Sequence, residues 1–100
     1  MTTATRIIFS PVVSSNPART IINQFTLRSK IKKILKDHAI DGASITKNTG
    51  IWKGDFENSF TLYLIGITKA TGKSLASKIK KLFNQDSVIL ETVKQDIKFI

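Results

Sequence analysis

A chain of 100 residues with 41% hydrophobic content can bury one core and has no room for a second lobe. Its 16 Lys and Arg against 7 Asp and Glu give a net charge of +9, which favours acidic partners. The absence of cysteine excludes disulfide staples and thiolate metal sites, and the longest apolar run is too short to cross a bilayer.

Residues 1–5 are polar and are expected to fray, which leaves 6–100 as one domain. Arg6 to Val13 is β-branched and aromatic and reads as a first strand; its short apolar run, broken by Pro11, makes a poor secretory leader. Ser14 to Pro17 is loop chemistry, and Thr20 to Gln24 reads equally as a helical turn or as loop. A helix is expected from an N-cap at Thr26. Leu27, Ile31, Ile34 and Leu35 form its apolar stripe, and Asp41-Gly42 is the expected stop.

Ala43 to Lys53 reads as a second strand with Gly50 at a bulge, and Gly54 to Asn58 as a hairpin loop. Ser59 to Ile67 is the third strand. Phe60, Leu62 and Leu64 point one way, and Thr61, Tyr63 and Ile65 the other, so both faces are half apolar. Such a sheet should bury its second face against another subunit, with Tyr63 and Ile65 in the interface. A second helix follows from about Gly72 to Asn84, capped by Thr71 or Gly72, with the stripe Leu75, Ile79, Leu82 and Phe83. Ser87 to Leu90 starts a fourth strand, and Thr92 to Ile100 leaves room for an extra C-terminal one. The order β-α-β-β-α-β is the α+β, ferredoxin-like plan, with two helices on one face of an antiparallel sheet.

The charge follows the helices. Ser29-Lys30-Ile31-Lys32-Lys33 recurs as Ser77-Lys78-Ile79-Lys80-Lys81. Residues 26–38 and 69–83 hold ten of the sixteen bases and one acid, Asp37, while the other six bases and six acids cancel. Lys32, Lys33, Lys36, Lys73, Lys80 and Lys81 therefore mark a polyanion-binding face, suited to phosphates rather than to base edges. Convergent Lys-rich amphipathic helices explain the repeat without duplication.

Gly66 to Ser74 has the outline of a phosphate loop, but five residues separate its glycines where the motif has four. The readings left there are plain capping of the helix or an anion or ligand held by Gly72, Lys73 and Ser74 at its N-terminus, while Trp52 reads as packing over the sheet or at an interface, or as a ligand-stacking contact. His38 falls on the apolar side of the first helix as a packing residue. One histidine and scattered serines make no catalytic triad, and the hairpin acids Asp55 and Glu57 read as solvent residues rather than a catalytic pair. The expectation is a chain that is not an enzyme and needs no cofactor or metal.

Gly50-x-Trp52-x-Gly54-x-x-Glu57-x-Ser59, with Phe83 to Leu90, resembles the PII-like and CutA-like group and small uncharacterised phage or bacterial proteins, over roughly residues 40–100. That resemblance implies a ferredoxin-like fold and a homo-oligomer, a trimer or a dimer. It carries over no ligand residues, because the PII nucleotide signatures are not evident. RNA-recognition domains need a basic-Gly-aromatic start on the third strand, and acylphosphatases a Gly-rich loop beside Arg19; neither is present. Together these readings give a cytoplasmic, non-membrane, oligomeric binding protein. Its basic face would contact nucleic acid or another acidic partner such as a protein; the alternative is a PII-like regulator that binds a small ligand or protein partner.

Overall fold

The computed structural model describes residues 2–10, 24–52, 54–85 and 87–100, with the side chains of 24, 25, 52, 55 and 57 also outside that description. The readings placed on Ser14–Pro17, Arg19 and positions 20–23 fall outside it. The elements are β1 (Thr2–Phe9), α1 (Gln24–Asp37), β2 (Ser44–Trp52), β3 (Asp55–Ile65), α2 (Lys69–Leu82) and β4 (Ile89–Gln95). They form the expected α+β, ferredoxin-like arrangement: one antiparallel sheet of order β2-β3-β1-β4 with both helices on one face.

The core is where the two periodicities meet. Ile7 and Phe9 of β1 and Phe60, Leu62 and Leu64 of β3 point at the helices, as alternation dictates. Leu27, Ile31 and Ile34 of α1 and Leu75, Ala76 and Ile79 of α2 close over them. The rings of Phe9 and Phe83 stack with centroids 5.3 Å apart, and Phe60 flanks Phe9 at 6.1 Å.

Several boundaries differ from the sequence reading. β1 starts at Thr2, because the Thr-rich segment expected to fray takes ladder positions: Thr2 pairs with Gln95 and Thr3 with Lys94. α1 already begins at Gln24, so Thr26 lies inside its first turn. It ends at Asp37, four residues before Asp41, because Ala39 adopts φ 54° and the Ile40 N–H bonds the Leu35 carbonyl. α2 closes in the same way through Asn84, φ 52°.

No bulge interrupts β2: the ladder runs unbroken through Gly50 opposite Glu57 to Trp52 opposite Asp55. Gly54 is in a turn at φ +82°, and from Asp55 to Asn58 the segment expected to be a loop is strand. β4 is one strand across the expected break, and residues 96–100 belong to none, so the extra C-terminal strand does not form. No described helix is long and apolar enough to cross a membrane.

Candidate functional site

The face of the sheet turned away from the helices, open among the described residues, gathers chemistry from all four strands. The ladder registers set out its rows. Ser44, Tyr63, Arg6 and Glu91 stand side by side across β2, β3, β1 and β4. The next row is Thr46, Thr61, Ile8 and Ile89; on the other side stand Ile65, Ala4 and Val93.

Arg6 is the centre of the polar row. Its Nη1 donates to Glu91 Oε1 at 2.7 Å, and its guanidinium carbon lies 5.1 Å from the centre of the Tyr63 ring. Tyr63 Oη donates to Gln95 at 3.4 Å, and Asn48 Nδ2 to Thr61 Oγ1 at 2.7 Å. Arg6, Ser44, Thr46, Asn48, Thr61 and Tyr63 line a shallow trough of about 380 Å³. It combines one cation, one aromatic ring and four neutral hydroxyl or amide groups, flanked by a carboxylate. Such a set can orient a small zwitterion beside a polar ring system.

Tyr63 and Ile65 lie half-buried on this face, in the positions expected of them. The sequence reading missed Arg6, Asn48, Thr61 and Glu91. The usable signal was Arg6, a charge on the outward phase of an apolar strand. Its partner is 85 residues away and appears only once β4 pairs with β1.

The other expected residues do not converge. Lys32, Lys33, Lys36, Lys73, Lys80 and Lys81 are exposed on the helices, on the opposite side of the sheet. Lys73 and Lys80 flank a second open groove between α2 and β4, of about 310 Å³, with Ser77, Ser87, Val88 and Leu90. Gly72 is not at a helix terminus. Thr68 is the N-cap, accepting the Thr71 N–H, and the Gly72 N–H is spent on the Thr68 carbonyl, so neither Thr71 nor Gly72 caps α2. The Ser74 hydroxyl sits 3.1 Å from His38 Nε2. His38 Nδ1 must donate to the Ile34 carbonyl at 2.9 Å, so in the neutral ring Nε2 accepts from Ser74. Trp52 is placed by its backbone at the hairpin tip, and its side chain lies outside the described residues.

No protein-family profile matches the chain, and no curated protein matches it. Solved structures do. A phage SAM lyase in complex with S-methyl-5'-thioadenosine superposes with a TM-score of 0.73 at 22% identity, covering 93% of this chain and 81% of that one. The apo state of a phage SAM lyase gives 0.73 at 24%, covering 91% and 78%. The divalent ion tolerance protein CutA1 from Ehrlichia chaffeensis gives 0.55 at 14%, covering 98% and 84%. At these identities the likeness is one of fold, and the resemblance to the CutA-like group holds at that level.

One expectation falls with these matches. The chain was read as no enzyme because its sequence offers no catalytic constellation. The fold that spans 93% of it is that of an enzyme. The lack of a triad in the sequence, or of a metal cluster among the described residues, is therefore no ground for excluding chemistry on this scaffold.

Proposed function

We propose that this chain is a small-molecule lyase acting on S-adenosylmethionine at the open face of its sheet. The observation that carries the reading is the superposition on phage SAM lyase at a TM-score of 0.73 over 93% of the chain. The chemistry of the trough supports it. The amino-acid head of the substrate is an ammonium and a carboxylate, and Glu91 and Arg6 offer the complementary pair. Ser44, Thr46, Asn48 and Thr61 offer donors and acceptors to a ribose and a purine. The Tyr63 ring, with Arg6 on one face, adds an aromatic surface that can attract a sulfonium.

The reaction asks little of the protein. One carbon–sulfur bond breaks, and its electron pair stays on sulfur to give neutral S-methyl-5'-thioadenosine. A lyase adds no water, so the carbon that leaves sulfur either bonds to the substrate's own carboxylate oxygen, closing a lactone, or forms an alkene as a neighbouring carbon gives up its proton to a base. The charge at sulfur disappears, and a site that strips water from the cation favours that loss. Closure of the open face by a second copy of the chain would provide such dryness. The apolar rows Ile8–Ile89 and Ile65–Ala4–Val93 support a homo-oligomer.

The test is incubation of the purified protein with S-adenosylmethionine and detection of S-methyl-5'-thioadenosine by mass spectrometry. Release above a boiled control is expected, and its absence overturns the reading. A rise in melting temperature with S-adenosylmethionine or nucleotides, without turnover, would favour a PII-like ligand-binding regulator, for which the CutA1 fold match speaks.

A further inference from the structure

The basic helices lie on the other side of the sheet from the trough and play no part in that reading. α1 and α2 run antiparallel. His38, just past the end of α1, meets Ser74 near the start of α2. Lys30, earlier in α1, lies with Nζ 6.0 Å from the Phe83 ring at the end of α2. Between these two contacts, Lys32 and Lys33 come level with Lys81 and Lys80. Lys30 faces α2, so Lys32, about 200° further round its helix, points to the far flank of α1, as Lys80 points to the far flank of α2 over the β4 groove; Lys33 and Lys81, opposite the buried Ile31 and Ile79, stand on the outer face between those flanks.

All four lysines are exposed, while Ile31 and Ile79 between them are buried. Lys36 and Lys78 extend the same surface. Asp37 is the only acid in either helix. The ion pair among the described residues is Arg6–Glu91, on the opposite face. Cations clustered without counter-charges repel one another, and an external polyanion relieves that repulsion.

We infer that the outer face of the α1–α2 layer docks on the phosphate backbone of duplex DNA. Each helix has 14 residues, which makes the face about 21 Å long at 1.5 Å per residue. Adjacent helices lie roughly 8–10 Å apart, so Lys33 and Lys81 can meet the phosphates of one duplex while Lys32 and Lys80 reach it from the two flanks of the layer. The other acidic partners fit less well. A membrane surface takes an amphipathic helix by its apolar side, and here both apolar stripes are spent in the core. A single strand is held by stacking on aromatic rings, and the described side chains of this face expose none. A protein interface needs an apolar centre, and the outward positions at the middle of this face, Lys33 and Lys81, are lysines. Lysines without forked donors position a backbone and read no bases, so binding is independent of sequence.

The test is fluorescence anisotropy of the full chain with a labelled 20-base-pair duplex, titrated between 50 and 200 mM salt. Neutralisation of four phosphates predicts a slope of log K against log salt of about −3.6, or roughly a 100-fold loss over that range. The variant Lys32→Gln/Lys33→Gln/Lys80→Gln/Lys81→Gln should flatten the slope and abolish binding at 50 mM salt. If that variant does not keep its circular dichroism, the two separate doublet variants should each halve the slope. Arg6→Ala, on the other face, should bind DNA as the unaltered chain does, which separates this surface from the proposed lyase site. No binding by the unaltered chain at 50 mM salt overturns the inference. So do undiminished binding by the lysine variants and tighter binding to single strands, poly-glutamate or anionic vesicles.

Discussion

Arg6 and Glu91 stand directly opposite each other across the β1–β4 ladder, and their side chains meet at 2.7 Å. The pair is 36% and 46% exposed, so water screens it and its worth to folding is about 0–1 kcal/mol. Arg6→Ala and Glu91→Gln should therefore lower the melting temperature by only a few degrees. Each should reduce S-methyl-5'-thioadenosine release by roughly 100-fold, on the scale of about 1.4 kcal/mol per tenfold in rate. Equal, modest losses of stability and turnover would show that the pair only props the sheet.

Ala39 ends α1 in the left-handed region, where its Cβ is crowded and glycine is not. Ala39→Gly should stabilise the protein by about 1 kcal/mol, which is roughly 4–8 °C in a domain of this size. Asn84 ends α2 in the same conformation, but asparagine tolerates it, so Asn84→Gly should change little. Thermal melts of the two variants check the contrast; matching shifts would remove the explanation.

Gly72 offers a sharper separation between a structural and a ligand-binding role. A Cβ there would meet Thr5 Cγ2 at 3.6 Å and the Cδ1 atoms of Ile67 and Leu90 at 3.7 Å, which is ordinary contact. Alanine is the better helix former by about 1 kcal/mol. Gly72→Ala should raise the melting temperature. A fall would mean that the helix seats closer to β1 than these distances indicate.

The proposed oligomer rests on the open face. Light scattering at micromolar concentration should give a multiple of the 11.1 kDa chain mass. Ile65→Glu, which places a charge beside Ala4 in the apolar row, should return the protein to one chain with its circular dichroism unchanged. A monomeric unaltered chain would remove the oligomer from the proposal.

Residues with a strict period were legible in the sequence. Leu27, Ile31, Ile34, Leu75 and Ile79 repeat as a buried helix face must, and Phe60, Leu62 and Leu64 alternate against Thr61, Tyr63 and Ile65 as strand faces must. What escaped depends on backbone geometry or on distance along the chain. Thr2 and Thr3 join the sheet through main-chain bonds that no side-chain pattern announces. Gly54 to Asn58 reads as a loop from its composition, yet all but Gly54 of it is strand. The trough needs Arg6, Asn48, Thr61 and Glu91 together, and no local window of sequence contains them.

The hairpin of β2 and β3 continues past the end of β1, whose last partner on β3 is Phe60 opposite Phe9. Beyond that point, among the described residues, the two strands pair with each other alone. Ile51 and Phe56, a cross-strand pair near the tip, are 68% and 77% exposed. A two-residue turn lets this arm zip from its tip within microseconds, before any contact with the rest of the sheet. β1 is different: it sits between β3 and β4, and its bond to β4 joins residues 85 apart. Folding is therefore split between an early arm and a late seam, and until β4 docks the Thr2–Ile8 ladder remains an open edge that can recruit a strand from another molecule.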